Sequence, residues 1–297
     1  MANITAKEVQ ALRERTGVGM MKCKEALIAT DGDMEKAVIF LREKGLAVAA
    51  KKASRIAAEG IIAMYCDDKV GVLVEVNSET DFVAKNPTFR EFADGIAKVI
   101  ADCNPADIDA LLGMKFPGTD LTVEDMRKEK VLVIGENINI RRFVREEGAT
   151  YCYSHGGGRI GVIVKFENKG TGDFATDAKN VCMQVAAMTP SYLSKEDVPA
   201  ETIENEKEIL LAQIKNDPKQ ANKPQQVIDK MITGKLSKFY NENVLLEQAF
   251  FFDETVTVGK ALAQSGLKLV SFTRYEKGEG LQKREDNFAA EVAAMAK

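Results

Sequence analysis

Val70-Gly71-Val72-Leu73-Val74-Glu75-Val76 returns later in the chain as Ile160-Gly161-Val162-Ile163-Val164-Lys165-Phe166. In both copies apolar, mostly β-branched residues take every second position, the period of a strand with one buried face. The intervening face begins with glycine and ends in charge. The surroundings repeat as well. Glu59-Gly60 opens a strand to Cys66 before the first copy, Glu147-Gly148 opens one to Ser154 before the second, and a polar turn joins strand to strand each time. Each hairpin leads to a helix carrying Phe-Ala, at Phe92-Ala93 and Phe174-Ala175. In the first helix Phe89, Phe92, Ala93, Ile96 and Ile100 make one stripe; the second continues through Ala178, Val181 and Val185. Two hairpin-plus-helix units predict an α+β fold whose core is two related subdomains.

The copies differ in spacing. From Val76 to Phe92 the chain advances 16 positions, whereas from Phe166 to Phe174 it advances 8. The extra sequence contains Thr80-Asp81-Phe82-Val83-Ala84-Lys85-Asn86, and its aromatic belongs to neither flanking pattern. Two readings fit Phe82. A loop aromatic beside an acid, held between rigid elements, can be a probe presented to a partner. It can equally be a satellite core residue tucked under the loop. A duplicated scaffold commonly holds function where one copy has what the other lacks, so function is expected in this stretch.

Upstream, Thr5 and Glu8 form a capping box, with Ile4 and Val9 as its hydrophobic staple. The helix that starts there stops at Thr16-Gly17-Val18-Gly19; a second, through Met20, Met21, Cys23 and Leu27, ends at Asp31-Gly32-Asp33. A third, capped by Asp33, is expected to end at Gly45. Three helices this short bury too little to be comfortably stable alone, so the bundle should lean on another element or a partner. Met20 and Met21, at the glycine turn, read either as an exposed apolar pair or as ordinary core methionines. Residues 46–58 are rich in Ala and Lys and read as a helical linker.

Between the repeats, 120–133 predicts a helix, and 136–145 predicts a strand with Ile138 and Ile140 alternating. Further on, 199–216 places Ile203, Leu210 and Ile214 on one helical face. A break through Pro224 and a return helix with Val227, Met231 and Ile232 make an αα-hairpin that projects from the core. The chain then returns with an expected helix over 256–264, a strand over 267–275 and a last helix in which Phe288, Val292 and Met295 share a face. The expected division is 1–46 for the helical bundle, 47–58 for the linker, 59–145 for the first core subdomain and 146–192 with 241–275 for the second, followed by 193–240 for the hairpin arm and 276–297 for a C-terminal module.

Composition narrows the function. With 41 Lys and Arg against 45 Asp and Glu the net charge is −4, which argues against a dedicated nucleic-acid coat. Cysteines 23, 66, 103, 152 and 182 contain no CxxC pair and read as reduced thiols, without a zinc site. The first residues lack an apolar signal core and no run approaches about 18 apolar residues, so a cytoplasmic protein off the membrane is expected. The single histidine, His155, lies in the turn Ser154-His155-Gly156-Gly157-Gly158, a poor place for a general base. Those glycines sit between two strands, not between a strand and a helix as a phosphate loop requires. Asp67, Asp68 and Asp81 form no metal-ligand spacing. Binding through several surfaces is the stronger class. Two others are an RNA-binding factor using Lys51, Lys52, Arg55, Arg141 and Arg142, and an enzyme with a small-molecule site between the core repeats.

Residues 77–86, NSETDFVAKN, resemble the signature of the translation elongation factor Ts family, bacterial or organellar type. So do 12–27, LRERTGVGMMKCKEAL; 135–142, GENINIRR; and 286–292, DNFAAEV. The resemblance runs essentially end to end. It implies a ubiquitin-associated-like N-terminal bundle, two core subdomains, a dimerisation-type helical hairpin and a C-terminal helical module. It also implies a guanine nucleotide exchange factor for elongation factor Tu, with no cofactor and no bond-making chemistry. By residue, Thr80, Asp81, Phe82 and Val83 match the segment that enters the GTPase and displaces Mg²⁺, and Arg13, Met20 and Met21 match the surface that grips the same GTPase domain. The helical hairpin implies contacts with the partner's other domains or with a second copy, as a homodimer or a two-to-two complex; no membrane and no direct nucleic-acid contact are implied. Residues 113–119 and Phe250-Phe251-Phe252 match none of these motifs.

Overall fold

The computed structural model describes residues 4–170, 172–217, 220 and 223–282. Three helices open the chain, α1 (Ala6–Thr16), α2 (Met20–Ala29) and α3 (Met34–Lys52). The capping box of Thr5 and Glu8 starts α1, and Gly17, at φ 68°, ends it. Asp33 caps α3 by accepting from the Lys36 N–H at 3.0 Å. Here one expectation is corrected: α3 runs through Gly45 to Lys52. This glycine is a contact position, because a Cβ there would stand 3.6 Å from the Leu132 side chain and the Lys128 carbonyl of α7 (Val123–Ile134). The bundle core of Val9, Leu12, Val18, Cys23, Ala26, Leu27, Ala37 and Leu41 is completed by Leu132 from α7. Lys22 Nζ also donates to the Leu132 carbonyl at 3.0 Å. The bundle therefore does lean on another element.

Strands β1 (Glu59–Cys66), β2 (Val70–Ser78) and β3 (Asn139–Glu147) form one antiparallel sheet in that order. Strands β4 (Ala149–His155), β5 (Ile160–Phe166) and β8 (Leu269–Glu276) form the second. The repeat extends to its irregularities: the first sheet bulges between Glu75 and Val76, the second between the equivalent Lys165 and Phe166. Val70, Val72, Val74 and Val76 pack under α5 (Pro87–Cys103) with Phe89, Phe92, Ala93, Ile96 and Ile100. Ile160, Val162, Val164 and Phe166 pack in the same way under α8 (Phe174–Met188).

The intervening face of these strands is not a solvent face. Every residue of β2 is buried. Ile62 and Leu73 of the first sheet meet Cys152 and Ile163 of the second, so the two repeats stack back to back, giving layers of helix, sheet, sheet and helix. Glycine at the second position of each repeated strand allows the approach. A Cβ at Gly71 would lie 2.7 Å from Ile163, and one at Gly161 would lie 2.4 Å from Ile62.

The remaining α-helices and strands are α4 (Asp81–Ala84), α6 (Ile108–Leu112), α9 (Ala200–Asn216), α10 (Gln225–Asn243), β6 (Ala249–Phe250), β7 (Asp253–Thr257) and α11 (Val258–Gln264). Helices α9 and α10 pair through Leu210, Ile214 and Ile228 as the expected hairpin arm. The helix expected over 256–264 starts later, because Val256 and Thr257 belong to β7 and Thr257 caps α11 by accepting from the Lys260 N–H. The expected final helix with Phe288, Val292 and Met295, and the motif at 286–292, lie outside the described residues.

Candidate partner-binding surface

The stretch unique to the first repeat folds into α4, a single turn between β2 and α5. Its phase is simple: Val83 and Ala84 are buried in the core under α5, while Asp81 and Phe82 point outward. Phe82 is 78% exposed, which decides against a satellite core residue. Lys85 Nζ stands 3.1 Å from Asp81 Oδ2 and 5.7 Å from the centre of the Phe82 ring. This exposed pair flanks the aromatic and contributes little to stability. Asn86 then accepts from the Thr88 N–H at 2.9 Å and, with Pro87 at the first helical position, starts α5.

Three loops fix the base of α4. The Thr80 N–H and hydroxyl donate to the two carboxylate oxygens of Glu136 at 3.0 and 2.7 Å. Glu79 Oε1 accepts from the Asn137 N–H at 2.7 Å, and Arg55 reaches Glu79 at 3.3 Å. The Asn137 amide donates to the Arg55 carbonyl at 2.9 Å, and Lys52 donates to the Gly135 carbonyl. Glu136 and Glu79 are positioning residues that the sequence reading did not single out. Glu136 lies within the 135–142 motif, but its pairing with Thr80 spans 56 positions and has no local pattern.

Arg13 is exposed on α1, and Met20 and Met21, at 40% and 71% exposure, begin α2. Neither methionine joins the bundle core. Ile28, Ile39 and Leu46 are exposed apolar residues of the same bundle that helical periodicity did not mark as unpartnered. No hydrogen bond, ion pair or ring contact links Arg13, Met20 or Met21 to α4 among the described residues.

Of the candidate RNA-contacting cations Lys51 and Arg55 are exposed, while Lys52, Arg141 and Arg142 are half-buried. Arg141 and Arg142 reach the fully buried Glu75 carboxylate at 3.1 and 2.6 Å, while Lys52 and Arg55 hold the loops just described. Burial pushes the Glu75 carboxyl up, but hydrogen bonds from Asn77, the Gly278 N–H and Arg142, with the Arg142 charge, outweigh it and hold Glu75 below its ordinary value. The space between the repeats, where a small-molecule site was considered, is filled by Ile62, Leu73, Cys152 and Ile163. His155 sits at the end of β4 with its Nδ1 3.1 Å from the Tyr153 hydroxyl.

The unassigned stretches have structural roles as well. Phe116, from 113–119, stacks on Phe92 at 5.7 Å, and its ring occupies the place a Cβ at Gly95 would take, 2.3 Å away. Phe250 packs into the core under α8, whereas Phe251 and Phe252 are 63% and 46% exposed. Among the described residues no group of three or more His, Cys, Asp or Glu is placed to hold a metal ion. No helix among them is long and apolar enough to cross a membrane.

The family model "Elongation factor TS" matches residues 79–279. The chain is 47% identical to elongation factor Ts of Syntrophotalea carbinolica over 305 aligned positions, which cover 99% of each chain. It is 47% identical to elongation factor Ts of Clostridium perfringens over 98% of this chain and 99% of the relative. The value is 49% for the protein of Alkalilimnicola ehrlichii, with 99% of each chain covered.

Proposed function

The chain belongs to the elongation factor Ts family, and from that premise we propose that it is the guanine nucleotide exchange factor for elongation factor Tu, acting in the cytoplasm by binding alone. One observation carries the reading: Phe82 stands in solvent on a turn whose neighbours Val83 and Ala84 are buried and whose preceding residue is clamped by Glu136. An aromatic held out at the cost of its own burial is built to be buried elsewhere. In this proposal Thr80, Asp81, Phe82 and Val83 enter the GTPase domain of the GDP-bound partner. Phe82 wedges into an apolar pocket, shifts the elements around the nucleotide and dislodges the partner's Mg²⁺. Arg13, Met20 and Met21 grip the same domain from the bundle. The arm of α9 and α10 serves contacts with the partner's remaining domains or with a second copy. The division of the chain set out under sequence analysis is proposed with it.

The physics is reciprocal linkage. If this protein favours the nucleotide-free partner by a given factor, bound nucleotide weakens this protein by the same factor, and each drives the other off. Burying one Phe side chain contributes roughly 1.5 to 3 kcal/mol, about one to two decades in an equilibrium. Loss of Mg²⁺ neutralisation at the phosphates and the grip of the bundle supply the rest.

The test is release of a fluorescent GDP analogue from purified elongation factor Tu with and without this chain. Accelerated release at micromolar concentration is expected; an unchanged rate sinks the reading.

A further inference from the structure

Two thiols from different repeats meet at the turn end of the first hairpin. Cys66, the last residue of β1, pairs in register with Gly71 of β2. Cross-strand partners project to one face about 4.5 to 5.5 Å apart, and here that face is packed on the second sheet. Gly71 leaves its place on the face empty. A Cβ there would lie 3.0 Å from Cys152 Sγ and 3.0 Å from Thr150 Oγ1, so Cys152 of β4 fills the position beside Cys66. The backbones interlock in the same sense. Cys66 Sγ reaches the Thr150 carbonyl at 4.0 Å, and Cys152 Sγ reaches the carbonyl of Tyr65 at 3.7 Å.

The two thiols are chemically unlike. Cys66 is exposed and Cys152 buried. The contact with Cys152 holds the Cys66 thiol below its ordinary value, against the opposing effect of burial. The Thr150 hydroxyl beside the pair is buried and makes no hydrogen bond among the described residues. The contact with Cys66 and burial raise Cys152. Cys182 lies on the other side of β4, in the core under α8, and takes no part.

We propose that Cys66 and Cys152 are a reversible redox pair which hydrogen peroxide closes into a disulfide joining the two sheets. The Cys66 thiolate attacks one peroxide oxygen; the S–O bond forms, the O–O bond breaks, and the leaving hydroxide is protonated to water. Cys152 sulfur then attacks the sulfenic sulfur of Cys66. The S–S bond forms, the S–O bond breaks, and the departing hydroxide takes the Cys152 proton as a second water. Two thiols are oxidised and one peroxide is reduced. An added dithiol reverses the step by exchange. Separation between accessible attacker and buried resolver is the arrangement that favours a disulfide over further oxidation of Cys66. This inference does not rest on the exchange-factor reading.

The experiment treats the full chain with limiting hydrogen peroxide and follows free thiols, intact mass and the non-reducing peptide map. The five thiols are expected to fall to three with a mass loss of about 2 Da, peptides bearing Cys66 and Cys152 becoming linked, and dithiothreitol restoring all five. Cys103→Ser, at the other exposed cysteine, should leave the Cys66–Cys152 link unchanged. Cys66→Ser should abolish the link, and Cys152→Ser should leave a Cys66 sulfenic acid trapped by dimedone. Should Cys152→Ser misfold, the wild-type map and Cys66→Ser decide alone. A sulfinic acid at Cys66 with Cys152 still reduced, or a link between chains, overturns the proposal.

Discussion

Thr80 gives both its backbone N–H and its hydroxyl to Glu136, at 3.0 and 2.7 Å, across 56 positions of chain. Phe82 follows two residues later, so this bidentate contact determines where the exposed ring stands. A ring held in one position loses less freedom on association than one on a loose loop.

Glu136→Ala should therefore slow exchange without unfolding the chain. Removing two charge-assisted hydrogen bonds from a half-buried carboxylate costs about 1.5–3 kcal/mol of ordering at α4. Nucleotide release at fixed factor concentration should fall roughly tenfold, the factor that about 1.4 kcal/mol supplies, while the far-ultraviolet dichroism stays as in the parent. Parent-like exchange by the variant would show that the clamp is idle.

Met21→Ser tests the second surface. At 71% exposure this side chain has little to lose on replacement, so the unfolding free energy should change by no more than about 0.5 kcal/mol. The complex with elongation factor Tu should nevertheless weaken in a titration calorimeter. Unfolding of the bundle would instead return Met21 to a core role.

Stacking of the two repeats is tested by glycine replacement. Gly161→Ala puts a methyl 2.4 Å from Ile62 Cγ2 and should destabilise by about 1–3 kcal/mol in urea unfolding. Gly234→Ala, inside α10 with nothing within 4 Å, should stabilise by about 0.5–1 kcal/mol. Equal effects at both sites would mean that the sheets do not press on each other at Gly161.

Glu75 predicts the acid limb of stability. Its carboxyl is held below the ordinary value in the folded chain, so its contribution is present above the unfolded carboxylate range and is lost as pH falls through the lower folded value. Glu75→Gln should flatten stability against pH in that acid window and destabilise by about 2–4 kcal/mol at neutral pH, since Arg141 then loses its counter-charge and Arg142 keeps only Glu279. An unchanged acid limb in the variant would remove Glu75 from the account.

What could be read in advance follows from which contacts are periodic. The alternation of Val70, Val72, Val74 and Val76, and its copy from Ile160, is visible because a strand repeats every second residue; the stripe of α5 is visible in the same way. The inner face carries no such signal, because glycine and charge have no period. Only the fold shows that Gly71 and Gly161 are contact points and that Glu75 is a buried carboxylate met by Arg142. Gly45 looked like a helix stop for the same reason, since its partner Leu132 lies far along the chain. At the candidate surface, spacing isolated Phe82 but could not choose between exposure and burial. That choice depends on the phase of a four-residue turn and on Glu136.

The central claim is that Phe82 acts as a lever on the partner's nucleotide site, and Phe82→Ala tests it when both quantities are measured on one preparation. The account predicts that maximal GDP release at saturating factor falls by about one to two decades, the worth of one buried Phe, while affinity for GDP-bound elongation factor Tu changes much less. Equal losses in both would contradict it and leave Phe82 a plain anchor.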